Sequence, residues 1–104
     1  MNAAEYRQVF SSNSRSSDKN FTVLAYYSGS DVARLGLAIA KKHTRRAVDR
    51  NRIKRLVREN FRHSKAALAG YDLVVMAKPG TASFSNLNLS NSLQAHWQQI
   101  LKSH

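Results

Sequence analysis

The side chains with the most evident chemical potential in this chain are cations. Between Lys41 and Lys65 the sequence runs KKHTRRAVDRNRIKRLVRENFRHSK, in which eleven basic residues face only Asp49 and Glu59 and carry nine of the eleven net positive charges. Solvated helix faces normally interleave acids at i, i+4, and like charges at that spacing repel, so this face is costly to the free protein and is relieved by a polyanion. Arginine outnumbers lysine from Arg45 to Arg62, which favours bidentate phosphate recognition and stacking over diffuse attraction. The candidate RNA-binding set is Lys41, Lys42, Arg45, Arg46, Arg50, Asn51, Arg52, Lys54, Arg55, Arg58 and Arg62. Asn51 stands apart chemically: an amide donates and accepts, so it could hold a phosphate, a base edge or a hydrated cation.

Other chemistries are poorly furnished. The chain has no cysteine, which removes disulfides, thiolate metal sites and cysteine nucleophiles together. His43, His63, His96 and His104 are scattered without an H-x-x-x-H pair or a carboxylate cluster, and GLAIAKK lacks the second glycine and the Ser or Thr of a phosphate loop. No serine has a nucleophile-elbow setting, so a catalytic site of the chain's own is not expected. Glu5, Tyr6 and Arg7 interrupt the start where a signal peptide would be apolar, and no apolar run reaches the length of a membrane span. A cytoplasmic protein with no membrane partner is expected, and the triplets Asn20-Phe21-Thr22 and Asn88-Leu89-Ser90 are then chance matches to a glycosylation pattern.

The 104 residues, 42% of them hydrophobic, suffice for one core and are read as a single domain. In Ala3 to Phe10 the positions Tyr6, Val9 and Phe10 mark an amphipathic helix too short to stand alone in water. Ser11 to Asn20 is polar and Ser-rich, with no periodicity, and reads as a mobile connection. Phe21 to Tyr27 is rich in β-branched and aromatic residues and reads as a strand. Ser28 to Asp31 carries turn chemistry that predicts a hairpin return along Leu35 to Lys41. That return strand sets Leu35, Leu37 and Ile39 on one face against Gly36, Ala38 and Ala40 on the other. Its bare face either receives a closely packed helix or floors a shallow groove.

From about Ala47 to Leu68 the period becomes helical. Ile53, Leu56, Val57, Asn60, Phe61, Ser64 and Leu68 form one stripe; Asn51, Lys54, Arg55, Arg58, Arg62 and Lys65 fan across the other face. Gly70 is a candidate C-cap. Tyr71 to Lys78 reads as a strand buried on both faces, stopped by Pro79 and Gly80. Leu89, Leu93, Trp97, Ile100 and Leu101 predict a last amphipathic helix, with Trp97 as a core anchor rather than a stacking platform.

The string Lys41-Lys42, then Ala47-Val48-x-Arg50-Asn51-Arg52-Ile53-Lys54-Arg55, followed by Arg58-Glu59 and Phe61-Arg62, resembles the signature of the protein subunit of bacterial ribonuclease P. The resemblance extends to LGLAIAKK before it, to YDLVVMAKPG and to the aromatic first and Leu/Trp-rich last helices. It implies an α+β fold, a two-layer α-β sandwich of order αβββαβα, with a strand-helix-strand crossover that is left-handed against the usual rule. It also implies an accessory subunit of a ribonucleoprotein endoribonuclease that removes the 5′ leader from precursor tRNA, catalysis and Mg²⁺ belonging to a large RNA. The partners would be that RNA, one protein per RNA, and the leader. By the same resemblance the basic set above would face RNA, and the leader would lie on Tyr6, Phe10, Thr22, Leu24 and Ala38, where bases could stack above a small-residue floor. Leu24 stands where some members have an aromatic residue. A metal contact at Asn51 is a further expectation. The basic composition alone fits a stand-alone RNA-binding or ribosome-associated protein equally well.

Overall fold

A computed structural model describes residues 1–12 and 14–102. The elements, in chain order, are α1 (Ala3–Phe10), β1 (Ser14–Ser17), β2 (Phe21–Tyr27), β3 (Arg34–Ala38), α2 (Ala47–Ser64), β4 (Tyr71–Ala77), a 3-10 turn (Thr81–Ser83) and α3 (Asn86–Lys102). The four strands form one sheet of order β1-β2-β4-β3, antiparallel except for the parallel β3–β4 pair.

The centre of the sheet goes to the strand that can be buried on both faces, and that is β4, buried from Tyr71 to Val75. Its placement overturns the expected hairpin between β2 and β3. Thr22 lies opposite Met76 in β2–β4 while Ala38 lies beside Met76 in β3–β4, so β4 separates the two strands. The turn chemistry at Ser28 to Asp31 is local and does not select a pairing partner; the apolar run of β4 does. The hairpin forms instead within the segment read as a connection. Ser14–Ser17 pairs with β2, and the Asp18 carboxylate closes the turn by accepting from the backbone N–H groups of Asn20 and Phe21, both at 2.8 Å.

On one face of the sheet Phe21, Val23, Leu73 and Val75 meet Ile53, Val57 and Phe61 of α2 and Leu89, Leu93, Trp97 and Ile100 of α3. This is the main layer of the sandwich. Trp97 is a core anchor as expected, 2% exposed, its indole N–H donating to Asn60 Oδ1 at 2.8 Å and its ring edge-on to Phe61. The other face carries α1, which seats Val9 on Leu24 and Val74. Two helix and strand ends fall short of the expected limits. α2 stops at Ser64 with Lys65 as its cap residue, and the chain turns through Gly70, whose φ of 95° suits the end of that turn rather than a helix cap. β3 ends at Ala38.

Candidate nucleic-acid interface

α2 is held by its apolar stripe, and the residues between that stripe and solvent do two different jobs. Arg50 and Arg52 turn inward to the protein. Arg50 Nη1 donates to the carbonyls of Thr44 (2.9 Å) and Arg45 (2.7 Å), which fixes the loop leading into the helix. Arg52 reaches α3 and the 3-10 turn, donating to Asn86 Oδ1 at 2.5 Å and to the carbonyl of Ala82 at 2.8 Å. A helical wheel assigns direction but not reach, and a guanidinium is long enough to leave its own face. Two further cations have acidic partners. Arg62 pairs with Glu59 at 2.5 Å and holds that carboxyl below its ordinary value by hydrogen bonding and charge, while Arg46 lies 4.0 Å from Asp49.

Lys54, Arg55 and Arg58, and Lys41, Lys42 and Arg45 in the loop, have no hydrogen bond or ion pair from their side chains among the described residues. All but the half-buried Lys54 are exposed. Asn51 is exposed with them and lines a depression with Lys54, Arg55, Arg58, Glu59 and Arg62. That lining does not suit a protein-held Mg²⁺: cations dominate it, its one acid is committed to Arg62, and no group of three or more His, Cys, Asp or Glu gathers anywhere among the described residues.

The α1 face is built differently. An eight-residue helix needs docking contacts, and it has them at both ends. Asn2 and Glu5 form a capping box. Arg34 donates to both oxygens of the buried Asp72, at 2.9 and 2.7 Å, and also pairs with Glu5, so one guanidinium ties the helix to the sheet. Gln8 donates to Tyr26 Oη at 3.1 Å. Tyr6 lies directly over Gly36, where any Cβ would stand 2.6 Å from its hydroxyl. Tyr6 and Phe10 stack with centroids 6.4 Å apart, and Phe10 is 48% exposed.

Both accounts of the bare face of β3 therefore hold, at different ends of the strand. Gly36 is covered by a helix residue, whereas Ala38 opens with Thr22 and Met76 into a depression of about 440 Å³. His43 and Lys78 border it, two polar residues that the sequence pattern did not single out, although Lys78 precedes the strand-stopping Pro79. Leu24 is not presented there: it is 7% exposed beneath Val9. The two surfaces meet at the free edge of β3, where Tyr6, Leu35 and Leu37 share a shallow pocket with Lys54 and Arg58.

A small mixed sheet backed by two helices, one of them presenting unpaired cations, with an aromatic helix on the opposite face, defines an α+β nucleic-acid-binding protein. Residues 1–101 match the family model described as Ribonuclease P, and the chain belongs to that family. The ribonuclease P protein component of Nitrosococcus oceani is 47% identical over 98 residues, covering 94% of this chain and 82% of the relative. Among solved structures, the ribonuclease P protein of Staphylococcus aureus superposes with a TM-score of 0.84 at 28% identity, covering 94% of this chain and 90% of that one. That of Thermotoga maritima gives 0.80 at 26% identity, covering 90% and 89%.

Proposed function

We propose that this chain serves ribonuclease P as a cytoplasmic RNA-binding subunit, one protein to one catalytic RNA, in which the RNA performs the cleavage with Mg²⁺ and the protein holds two parts of the complex together. Lys54, Arg55, Arg58 and Asn51 of α2, with Lys41, Lys42 and Arg45 in the loop, contact the catalytic RNA. Arg62 and Arg46 join them when phosphate displaces their acidic partners. Arg50 and Arg52 act at one remove, by fixing the loop and the helix that present the others.

The single-stranded 5′ leader of precursor tRNA lies on the opposite face, with Tyr6 and Phe10 as stacking surfaces and Thr22 and Ala38 as the floor. Leu24 supports this surface from beneath α1. The observation that carries the reading is the meeting of Tyr6 with Lys54 and Arg58 at the free edge of β3. A strand of RNA leaving the aromatic face arrives there at the cationic helix. No helix among the described residues is long and apolar enough to cross a membrane. The test is reconstitution: this protein, added to a bacterial ribonuclease P RNA at low Mg²⁺, is expected to stimulate correct 5′ cleavage of precursor tRNA. Absence of stimulation would contradict the reading.

A further inference from the structure

A concavity of about 710 Å³ lies away from the leader surface, between α2 and α3. Its lining combines an apolar patch, Val48 and Leu56, with amides and guanidinium groups from Asn51, Arg52, Arg55 and Asn86. The walls are fixed before any ligand arrives. Arg52 bolts Asn86 in place, and the amide of Asn60 is held by three bonds: its Oδ1 accepts from Trp97 and from Gln94 at 3.0 Å, and its Nδ2 donates to the carbonyl of Ser90 at 3.4 Å. Asn51, Arg55 and the amide nitrogen of Asn86 make no side-chain bond among the described residues. Glu59, the acid in the lining, is compensated by Arg62 and lies 3.2 Å from His63.

We infer that this groove receives a single unstacked nucleotide of the bound RNA, a role that rests on the RNA-binding reading of α2. The chemistry fits each part of a nucleotide. The base needs an apolar surface to lie on and donors and acceptors at its edge; Val48 and Leu56 supply the first, Asn51 and Asn86 the second. The phosphate needs a cation, and Arg55 supplies it. The location fits as well, because Asn51 and Arg55 line both this groove and the depression on the cationic face. A backbone running along Lys54 and Arg58 can therefore turn one residue over Arg55 into the groove. A preformed site loses little on ordering, and Val48 is 59% exposed, open to a base at the groove's apolar patch.

The test uses Val48→Trp, which fills the groove from an exposed position, and Asn51→Ala, which removes an edge partner, with folding checked from their NMR spectra. Binding of each to ribonuclease P RNA is expected to weaken about tenfold, with the salt dependence of Val48→Trp unchanged because no cation is lost. Equal affinity of Val48→Trp and the parent protein would overturn the inference while leaving the RNA-binding reading intact. If the parent protein itself fails to bind the RNA, that reading fails, and the groove is judged separately by titrating labelled protein with the four nucleoside 5′-monophosphates. Shifts at the side-chain amides of Asn51 and Asn86, absent in Val48→Trp, support the site. Absence of shifts with every nucleotide, or the same shifts with inorganic phosphate alone, overturns it.

Discussion

The two sides of the sheet solve the problem of holding RNA in opposite ways. On the α2 side the working groups are charges: Lys54, Arg55 and Arg58 have no side-chain partners among the described residues, and their cost to the free protein is what phosphate binding relieves. On the α1 side the working groups are shapes. Tyr6 is wedged over Gly36, Val9 is sealed on Leu24 and Val74, and the one strong electrostatic device, Arg34 between Asp72 and Glu5, is used internally to seat the helix. Affinity for the catalytic RNA should therefore depend steeply on salt, and discrimination of the leader should not.

The largest expected effect follows from that contrast. If about half of the basic cluster touches backbone phosphate, the log-log slope of RNA affinity against salt is about −4 to −5, a loss of roughly two and a half to three decades between 50 and 200 mM. Filter binding across that range checks it, and a flat isotherm would sink the electrostatic account of α2. The free-energy increment from adding a leader should change far less over the same range.

Next in size is Arg34→Ala, which breaks the α1 side alone. It strands the buried carboxylate of Asp72 and frees Glu5, so the protein is expected to unfold at lower denaturant concentration than the parent. Denaturant unfolding measures it. Leader-dependent binding should weaken with it, while the salt slope stays as in the parent; a changed slope would mean that the two sides are not separate.

A smaller effect belongs to the β1 hairpin. Burial would raise the Asp18 carboxyl, but the Ser92 hydroxyl and the backbone N–H groups of Phe21 and Asn20 outweigh it, with His96 adding charge, and its pKa falls from 3.8 to about 2. A folded-state value below the unfolded one stabilises the protein above about pH 4, and that contribution is lost as pH falls through about 2. Thermal melts of the parent and Asp18→Asn should thus differ most above about pH 4 and converge near pH 2. A difference independent of pH would remove the carboxylate from the account.

These regions were not equally legible in the sequence. β2, β4 and the stripes of α2 and α3 announce themselves because their burial is encoded in runs of apolar residues at strand or helix period. β1 does not, since SRSS has no apolar alternation. It is held by pairing with β2 and by side chains distant in sequence, with Ser16 Oγ 2.6 Å from His96 Nδ1 and His96 Nε2 3.1 Å from Asp18 Oδ2, the latter off the line a hydrogen bond requires. The cationic face was visible as composition. Which cations are free was not, because Arg50 and Arg52 find carbonyl partners only once the loop at Thr44 and the turn at Ala82 are in place. The groove between α2 and α3 had no sequence signal at all, being made of residues more than thirty positions apart such as Asn51 and Asn86.

The most direct test of a protein with two separable RNA surfaces is a crossed comparison of Tyr6→Ala and Arg58→Ala in the reconstituted complex, measuring both affinity for the catalytic RNA and the preference for precursor over mature tRNA. Tyr6→Ala should lower the precursor preference and leave RNA affinity within about twofold, whereas Arg58→Ala should weaken RNA affinity, reduce the salt slope by about 1 and preserve the preference. If each substitution reduced both quantities in proportion, the division of labour between the faces of the sheet would be contradicted.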